Sequence, residues 1–298
     1  MKLAAFPKCY MDELVRDHTM SLFEWIEMAA DLPVDGLELY DGTLTSFDEV
    51  YLEKVREAHA RHNLEIPMLC CSSDFTQPRA EDRRRQVEHQ KQMIDVIARL
   101  GGKYCRVLSG QRRPDVSREQ GVRWVVECIQ EAVEYSATKG VVLAMENHYK
   151  DNFWAHPEFA QKQGVFLEIV NQIDSPWFGV QYDPSNAIVA GEDPLDLLQK
   201  VKHRVVTMHA SDRHLKPGHT LEELRTVEDS VGYAAILAHG EVGKGMNDYP
   251  RIFRMLREAG FDGWVSIEDG LSGIEEIRAS AKFLRPFIDR ESGDRVIG

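Results

Sequence analysis

The chain lacks an excess of basic residues. Its 298 residues include 36 Lys and Arg against 49 Asp and Glu, which gives a formal net charge of −13. Affinity for a nucleic-acid backbone comes mainly from Lys and Arg, so this balance opposes nucleic-acid binding. The basic run at residues 83–85 is flanked by acids and is expected to lie on a solvated helix face. We therefore expect no nucleic-acid partner.

Long apolar runs and cysteine pairs are missing as well. No stretch approaches the roughly 18 consecutive apolar residues that a membrane span requires, and the apolar part of the N-terminus is too short for a signal peptide. The five cysteines stand at positions 9, 70, 71, 105 and 128, without a CxxC pair. Reduced thiols in a cytoplasmic protein without a membrane partner are the simplest interpretation.

Linkers, low-complexity stretches and a G-x-G-x-x-G motif are also absent. What recurs is a short apolar run, a polar loop and a longer segment with helical spacing. Eight runs follow this pattern: Leu3–Phe6, Gly36–Tyr40, Ile66–Cys71, Tyr104–Leu108, Val141–Met145, Phe178–Tyr182, Arg204–Met208 and Trp264–Ile267. Such runs are typical of parallel strands covered on both faces. They predict an α/β fold, a single-domain (β/α)8 TIM barrel over residues 1–298, in preference to a doubly wound open sheet.

The last four runs each end near a residue that is able to ligate a metal. These residues are Glu146, Asp183, His209 and Glu268. Functional residues of a barrel lie where its strands end, so the four side chains are expected to converge. Three carboxylates and one imidazole suit Mn²⁺, Mg²⁺ or Co²⁺, with Zn²⁺ as a further option. Taken singly, each would more often be a loop cap or an ion-pair partner, but their shared position favours one metal site.

Two further residues near strand ends have two interpretations each. His148 lies two positions beyond Glu146 and is either a catalytic base or hydrogen-bond donor in the pocket, or an exposed loop histidine. Glu38 lies near the end of the second run. It either lines the pocket or is a solvated strand end, and the second interpretation is favoured.

Residues around the predicted ligands are candidates for substrate binding. Asp212 is expected to orient His209 by a hydrogen bond to the imidazole, and Arg213 to hold a substrate oxygen. Asn186 and Lys244 are weaker candidates for the same rim.

The interval between His209 and Glu268 is more than twice the interval between Asp183 and His209. The excess falls in residues 215–243, which we expect to form a long polar loop. Long loops in compact barrels are usually lids or partner surfaces.

The ends of the last four runs also carry longer motifs. These are Ala144-Met145-Glu146-Asn147, Tyr182-Asp183-Pro184-Ser185-Asn186, His209-x-x-Asp212 and Ser266-Ile267-Glu268, with a Gly-rich segment at 243–249. In this order the chain resembles the xylose isomerase-like sugar isomerase/epimerase superfamily, which also includes inosose dehydratases and the endonuclease IV branch. The resemblance implies one divalent metal, Mn²⁺ as the first choice, held by the four predicted ligands, and a keto sugar as substrate.

The resemblance also implies catalytic roles. Related epimerases use two metal-bound glutamates on opposite faces of the substrate, and here these are Glu146 and Glu268. A C–H bond beside a carbonyl is too weakly acidic for a carboxylate base unless the developing enediolate is stabilised, which a cation achieves. As partners besides the sugar, the resemblance allows a homo-oligomer or a small accessory subunit.

Three functions stay open at this point. An isomerase or epimerase is favoured. The second is a lyase of the same superfamily, either inosose dehydratase-like or resembling the large subunit of C-glycoside deglycosidases, which act on 3-oxo-glycosides, with His148 as the base. The third is a non-catalytic sugar-binding barrel. The nuclease branch is disfavoured, because the third and fourth runs end without the histidines that its further metals require.

Overall fold

A parallel sheet forms the centre of the molecule. The computed structural model describes residues 1–151, 153–226, 230–268 and 271–289. The strands are β1 Lys2–Ala5, β2 Gly36–Leu37, β3 Leu39–Tyr40, β4 Met68–Cys70, β5 Tyr104–Val107, β6 Val142–Glu146, β7 Phe178–Tyr182, β8 Val205–Ala210, β9 Asp212–Leu215, β10 Leu237–Gly240 and β11 Trp264–Ile267. Nine of them pair in the order β2-β1-β11-β8-β7-β6-β5-β4-β3.

Helices lie between the strands along the chain. They are α1 Leu22–Ala29, α2 Glu49–Arg61, α3 Ala80–Leu100, α4 Arg118–Lys139, α5 Gln163–Val170, α6 Pro184–Val189, α7 Pro194–Val201, α8 Leu221–Thr226, α9 Ser230–Ile236, α10 Tyr249–Glu258 and α11 Ile274–Ile288. None of the helices in the described ranges is long and apolar enough to cross a membrane. The five cysteines are free thiols.

The second apolar run closes the barrel. Its halves, β2 and β3, are separated only by Glu38; β2 pairs with β1 and β3 with β4, so the ring of strands is continuous through this segment. Gly36 permits the close approach here, because a Cβ at this position would lie 2.6 Å from the carbonyl oxygen of Glu65. All eight predicted runs contribute strands to the ring, and the predicted TIM barrel is confirmed.

Helix α1 illustrates how the outer layer attaches to the sheet. Ser21 caps it through a reciprocal capping box with Glu24, which satisfies backbone N–H groups of the first turn. The helix then buries Leu22, Trp25, Ile26 and Ala29 on one face. This spacing places the four apolar side chains on the same side of the helix, toward the core.

The segment 215–243 differs from the predicted loop. Strands β9 and β10 pair antiparallel, and helices α8 and α9 lie between them. Leu224, Ile236 and Leu237 of this segment pack with Ile188 and Val189 of α6 in a small apolar cluster of their own. A few apolar residues among many polar ones therefore form a buried cluster in this insertion. The polar composition of the segment as a whole does not predict it.

Candidate metal centre and active site

The structure brings the four predicted ligands together at the C-terminal ends of their strands. Glu146 is the last residue of β6, Asp183 follows β7, His209 is near the end of β8, and Glu268 follows β11. All four side chains are buried, and one potential ligand atom from each lies within 4.8 Å of the others. Parallel pairing places the strand ends at one height, which is why residues far apart in sequence meet here.

The imidazole of His209 faces this group through Nδ1. This atom lies 3.4 Å from Oε1 of Glu146 and 3.2 Å from Oε2 of Glu268, and it has no hydrogen-bond partner. Burial alone would lower the pKa of His209, but the charges of Glu38, Glu268 and Glu146 outweigh it and raise the pKa. Burial, Glu268 and Glu146 together raise the pKa of Asp183 to about 7. A buried nitrogen without a partner and mutually repelling carboxylates fit a divalent cation.

Arg106 and Asn186 hold Glu146 in place. Arg106, on β5, donates from Nη1 to Oε2 of Glu146 at 2.8 Å, and the amide of Asn186 donates to Oε1 at 3.1 Å. Burial would raise the pKa of Glu146, but the charges of His148, Arg106 and His209 lower it to about 2. Asn186, a candidate substrate ligand in the sequence, thus contacts a predicted metal ligand in this structure.

Lys8 plays the corresponding part for Glu268. It lies in a 3-10 helix just after β1, and its Nζ is 3.1 Å from Oε1 of Glu268. Burial would raise the pKa of Glu268, but Lys8 and His209 lower it well below its usual value. Sequence reasoning missed both Lys8 and Arg106. Each of the two proposed acid–base glutamates therefore has a cation of its own.

His148 lies in the site, so the interpretation as an exposed loop histidine is wrong. It is 6% exposed and stacks on Tyr149, with the two ring centroids 5.3 Å apart. Its Nδ1 lies 3.4 Å from Oε2 of Glu158. Glu158 is itself buried and accepts the backbone N–H of Ser109 at 2.8 Å. Burial lowers the pKa of His148, but Glu146 and Glu158 outweigh this effect and raise it.

A cleft adjoins the four converging residues through Glu268. It is lined by Phe6, Lys8, Met11, Tyr40, Arg106, His148, Lys150, Asp151, Phe153 and Glu268. Asp151 accepts the hydroxyl of Ser72 at 2.6 Å, and Ser72 in turn accepts from Nη2 of Arg106 at 3.2 Å. The lining thus combines polar and charged groups with aromatic side chains.

Asp212 binds backbone groups of the glycine-rich segment and makes no hydrogen bond to the imidazole of His209. Its carboxylate accepts the backbone N–H groups of Gly243 and Gly245 at 3.0 Å and of Asn247 at 3.2 Å. A single buried carboxylate thereby satisfies several loop amides, and it ties the segment to the end of β8. The prediction that Asp212 orients His209 by a hydrogen bond is therefore wrong.

The other two substrate-binding candidates lie in different environments. Arg213 is buried and donates to Nδ1 of His239 and to the carbonyl oxygen of Asp212. Lys244 has 70% of its side chain exposed and pairs with Glu241 at 2.8 Å. The structure thus leaves Lys244 at the surface, outside the residues that line the cleft.

Glu38 is buried against the imidazole of His209, so the favoured interpretation as a solvated strand end is wrong. It is 1% exposed, and its Oε1 lies 2.7 Å from Nε2 of His209. The break between β2 and β3 explains the error, because Glu38 occupies the single residue between the two paired halves of the run and its side chain is enclosed by the barrel.

Comparisons with known proteins agree with this architecture. Residues 26–287 match the family described as xylose isomerase-like TIM barrel, and the chain belongs to that family. An inosose dehydratase of Lacticaseibacillus casei is 25% identical over 103 residues, which are 34% of this chain and 33% of the dehydratase. The curated relatives that the chain matches are covered over less than half of their length.

Two solved structures show the same fold. D-psicose 3-epimerase from Clostridium cellulolyticum H10, in complex with D-tagatose, superposes with a TM-score of 0.75 at 12% identity over 97% of this chain and all of that one. The IolI protein with a bound zinc atom superposes with a TM-score of 0.74 at 19% identity over 97% of this chain and 98% of that one. At these identities the likeness establishes the fold.

Proposed function

We propose that this protein is a divalent-metal-dependent sugar isomerase or epimerase that removes a proton from the carbon next to a keto sugar's carbonyl. The observation that carries the proposal is the convergence of Glu146, Asp183, His209 and Glu268. Within this group, Nδ1 of His209 has no hydrogen-bond partner. Mn²⁺ is the first choice of metal for this oxygen-rich set, with Mg²⁺, Co²⁺ and Zn²⁺ as alternatives. Structural similarity to a sugar epimerase and to a zinc-bound protein supports it.

When bound, the divalent cation stabilises the negative charge that develops on the carbonyl oxygen as the neighbouring C–H proton is lost. Glu146 and Glu268 are the proposed acid–base pair, one removing the proton and the other returning it on the opposite face. Arg106 and Lys8 each hold one carboxylate oxygen of a glutamate at 2.8 and 3.1 Å, so the remaining oxygens have restricted directions. Restricting the orientation of the two bases lowers the entropy that is lost when a reactive geometry forms.

The residues that line the cleft offer groups of the kinds that bind sugars. Lys150, Asp151 and Tyr40 offer hydrogen-bonding groups for hydroxyls, while Phe6 and Phe153 offer aromatic faces. Aromatic rings pack on the apolar C–H faces of sugar rings.

Exchange of solvent deuterium into substrate tests the proposal. The Mn²⁺-loaded protein is incubated in D₂O with keto sugars, inososes and 3-oxo-glycosides, and the metal is removed before NMR spectra are recorded. We expect deuterium at one carbon next to the carbonyl, with inverted or retained configuration separating an epimerase from an isomerase. No exchange in any of these compounds would contradict the proposal and favour a non-catalytic sugar-binding barrel.

A lyase is the second candidate, and His148 is the observation that favours it. His148 lines the cleft, and Glu158 lies behind it within 3.4 Å of Nδ1. A carboxylate in this position orients an imidazole as a general base. Such a base suits the loss of water or of an aglycone from a keto sugar or 3-oxo-glycoside.

Replacing His148 with asparagine separates the two candidates. If the protein is a lyase, His148→Asn is expected to keep the metal and to lose elimination by about 100-fold or more, because a general base contributes at least this much. If it is an isomerase or epimerase, the variant keeps most of the deuterium exchange. His59→Asn, at a buried histidine of α2 outside the cleft lining, is the control and is expected to leave elimination unchanged. Equal loss of metal and turnover in His148→Asn would instead indicate a structural role.

A further inference from the structure

Glu38 forms a buried carboxylate–imidazole pair with His209. Its Oε1 lies 2.7 Å from Nε2 of His209, while Nδ1 on the other side of the same ring faces the carboxylates of the proposed metal centre. The side chains of Glu38 and His209 are 1% and 0% exposed. Water therefore does not screen the contact, and the charge of Glu38 acts on the imidazole directly.

The position of the imidazole proton follows from these contacts. A histidine that ligates a metal through Nδ1 carries its proton on Nε2, which then needs an acceptor. Glu38 supplies that acceptor. The amide of Gln181 lies 2.6 Å from the same Nε2, and its oxygen has no hydrogen-bond partner when its nitrogen points there. Turning this amide over would present the oxygen to Nε2, so both neighbours then accept from one N–H group.

The thiol of Cys70 fixes the carboxylate in turn. Its Sγ donates to Oε1 of Glu38 at 2.9 Å, and Cys70 is fully buried at the end of β4. Glu38 itself is anchored between β2 and β3, which pair with different neighbours. The carboxylate is thus held by a buried thiol, on a residue that lies between two paired strands.

We propose that Glu38 is a positioning residue for the metal centre, acting through His209. It holds the imidazole in the tautomer and orientation that aim Nδ1 at the metal, and its negative charge makes that nitrogen a stronger ligand. This inference rests on the proposed metal-dependent function. Glu38 is not among the residues that line the cleft, and it contacts His209 on the side of the ring opposite to Nδ1.

The variant Glu38→Gln tests the inference with Mn²⁺ as the probe. Glutamine keeps the size and one acceptor oxygen but removes the charge. We expect Mn²⁺ to bind about 10- to 100-fold more weakly, as is usual when such a partner of a metal-ligating histidine is lost. Free Mn²⁺ is measured by its electron paramagnetic resonance signal during titration of the protein.

Glu158→Gln is the matched control. Glu158 is also a fully buried glutamate near the strand ends, but it contacts His148 rather than a proposed ligand. We expect its loss to leave the affinity for Mn²⁺ near that of the wild type. Mn²⁺ binding in Glu38→Gln as tight as in this control would overturn the proposal.

Thermal unfolding with and without Mn²⁺ separates positioning from a purely structural role. A ligand raises the unfolding temperature according to its affinity for the folded state. If Glu38 positions His209, Glu38→Gln is expected to reduce the rise in unfolding temperature that Mn²⁺ causes. If Glu38 is only structural, the variant unfolds at a lower temperature in EDTA, but Mn²⁺ raises that temperature as much as in the wild type. The second result would overturn the proposal. Failure of the metal centre itself has a different signature, because the wild type would then bind no Mn²⁺.

Discussion

Glutamine in place of Glu268 is expected to slow the interconversion of two epimeric keto sugars by about 100- to 10,000-fold, the usual contribution of a general acid or base. If Glu146 and Glu268 face opposite sides of the substrate, removing one base blocks inversion but leaves the other able to take its proton. Glu268→Gln should therefore introduce deuterium into only one epimer, and Glu146→Gln into only the other. NMR spectra of each epimer, incubated in D₂O at saturating Mn²⁺, measure both effects.

Each of these glutamates forms an ion pair, with Arg106 or with Lys8, so the loss of that pair needs a control of its own. Removing one partner of a buried ion pair leaves the other charge uncompensated, which destabilises the fold. Arg106 has a side chain that is 4% exposed and Lys8 one that is 19% exposed, so Glu146→Gln is expected to lose more stability than Glu268→Gln. The double variant Lys8→Met/Glu268→Gln removes the leftover charge. Folded, metal-loaded variants that lose exchange in both epimers would contradict the two-base assignment.

The sequence was sufficient to predict the barrel and the convergence of the four potential ligands, because both are encoded locally. An apolar run marks each strand, and the residue that follows it lies at the strand's C-terminal end whatever the rest of the chain does. Glu146, Asp183 and Glu268 follow their runs in this way. Convergence then results from the parallel pairing of neighbouring strands rather than from any long-range signal in the sequence.

Residues inside or before the end of a run were harder to place. Arg106 is a charged residue within the run that forms β5, and Glu38 interrupts the run that forms β2 and β3. Burying either charge is costly unless a partner compensates it, and those partners, Glu146 and His209, come from distant strands. Lys8 lies two residues beyond the first run, after Pro7. This position places Lys8 at the same end of the barrel as the predicted ligands, although a lysine is not one of the residue types expected to ligate a metal.

The roles of residues in the long insertion depend on contacts between distant segments. Asp212 lies two residues beyond the end of β8, which suggested a partner for His209. Its carboxylate instead accepts N–H groups from the glycine-rich segment more than thirty residues further along the chain. Spacing in sequence does not distinguish these alternatives. Only the path of the chain between β10 and α10 brings those amides to Asp212.

Asparagine in place of Asp183 is expected to reduce bound Mn²⁺ well below one ion per chain at a concentration that saturates the wild type. Asp183 caps α6 by accepting the backbone N–H of Asn186 at 3.0 Å, and an amide oxygen retains that bond. What the variant loses is the negative charge. Burial, Glu268 and Glu146 raise the pKa of Asp183 to about 7, so a charge here is unfavourable without a cation to compensate it. Elemental analysis after equilibrium dialysis measures the metal content.

Asp193→Asn is the matched control for this variant. Asp193 also caps a helix and precedes a proline, and it accepts the backbone N–H of Leu195 at 2.8 Å at the start of α7, but it is exposed. Its replacement is expected to leave the metal content unchanged, since only the cap is shared between the two sites. Wild-type metal content in Asp183→Asn would show that the four converging residues do not share one ion. The proposed function would then lose the observation on which it rests.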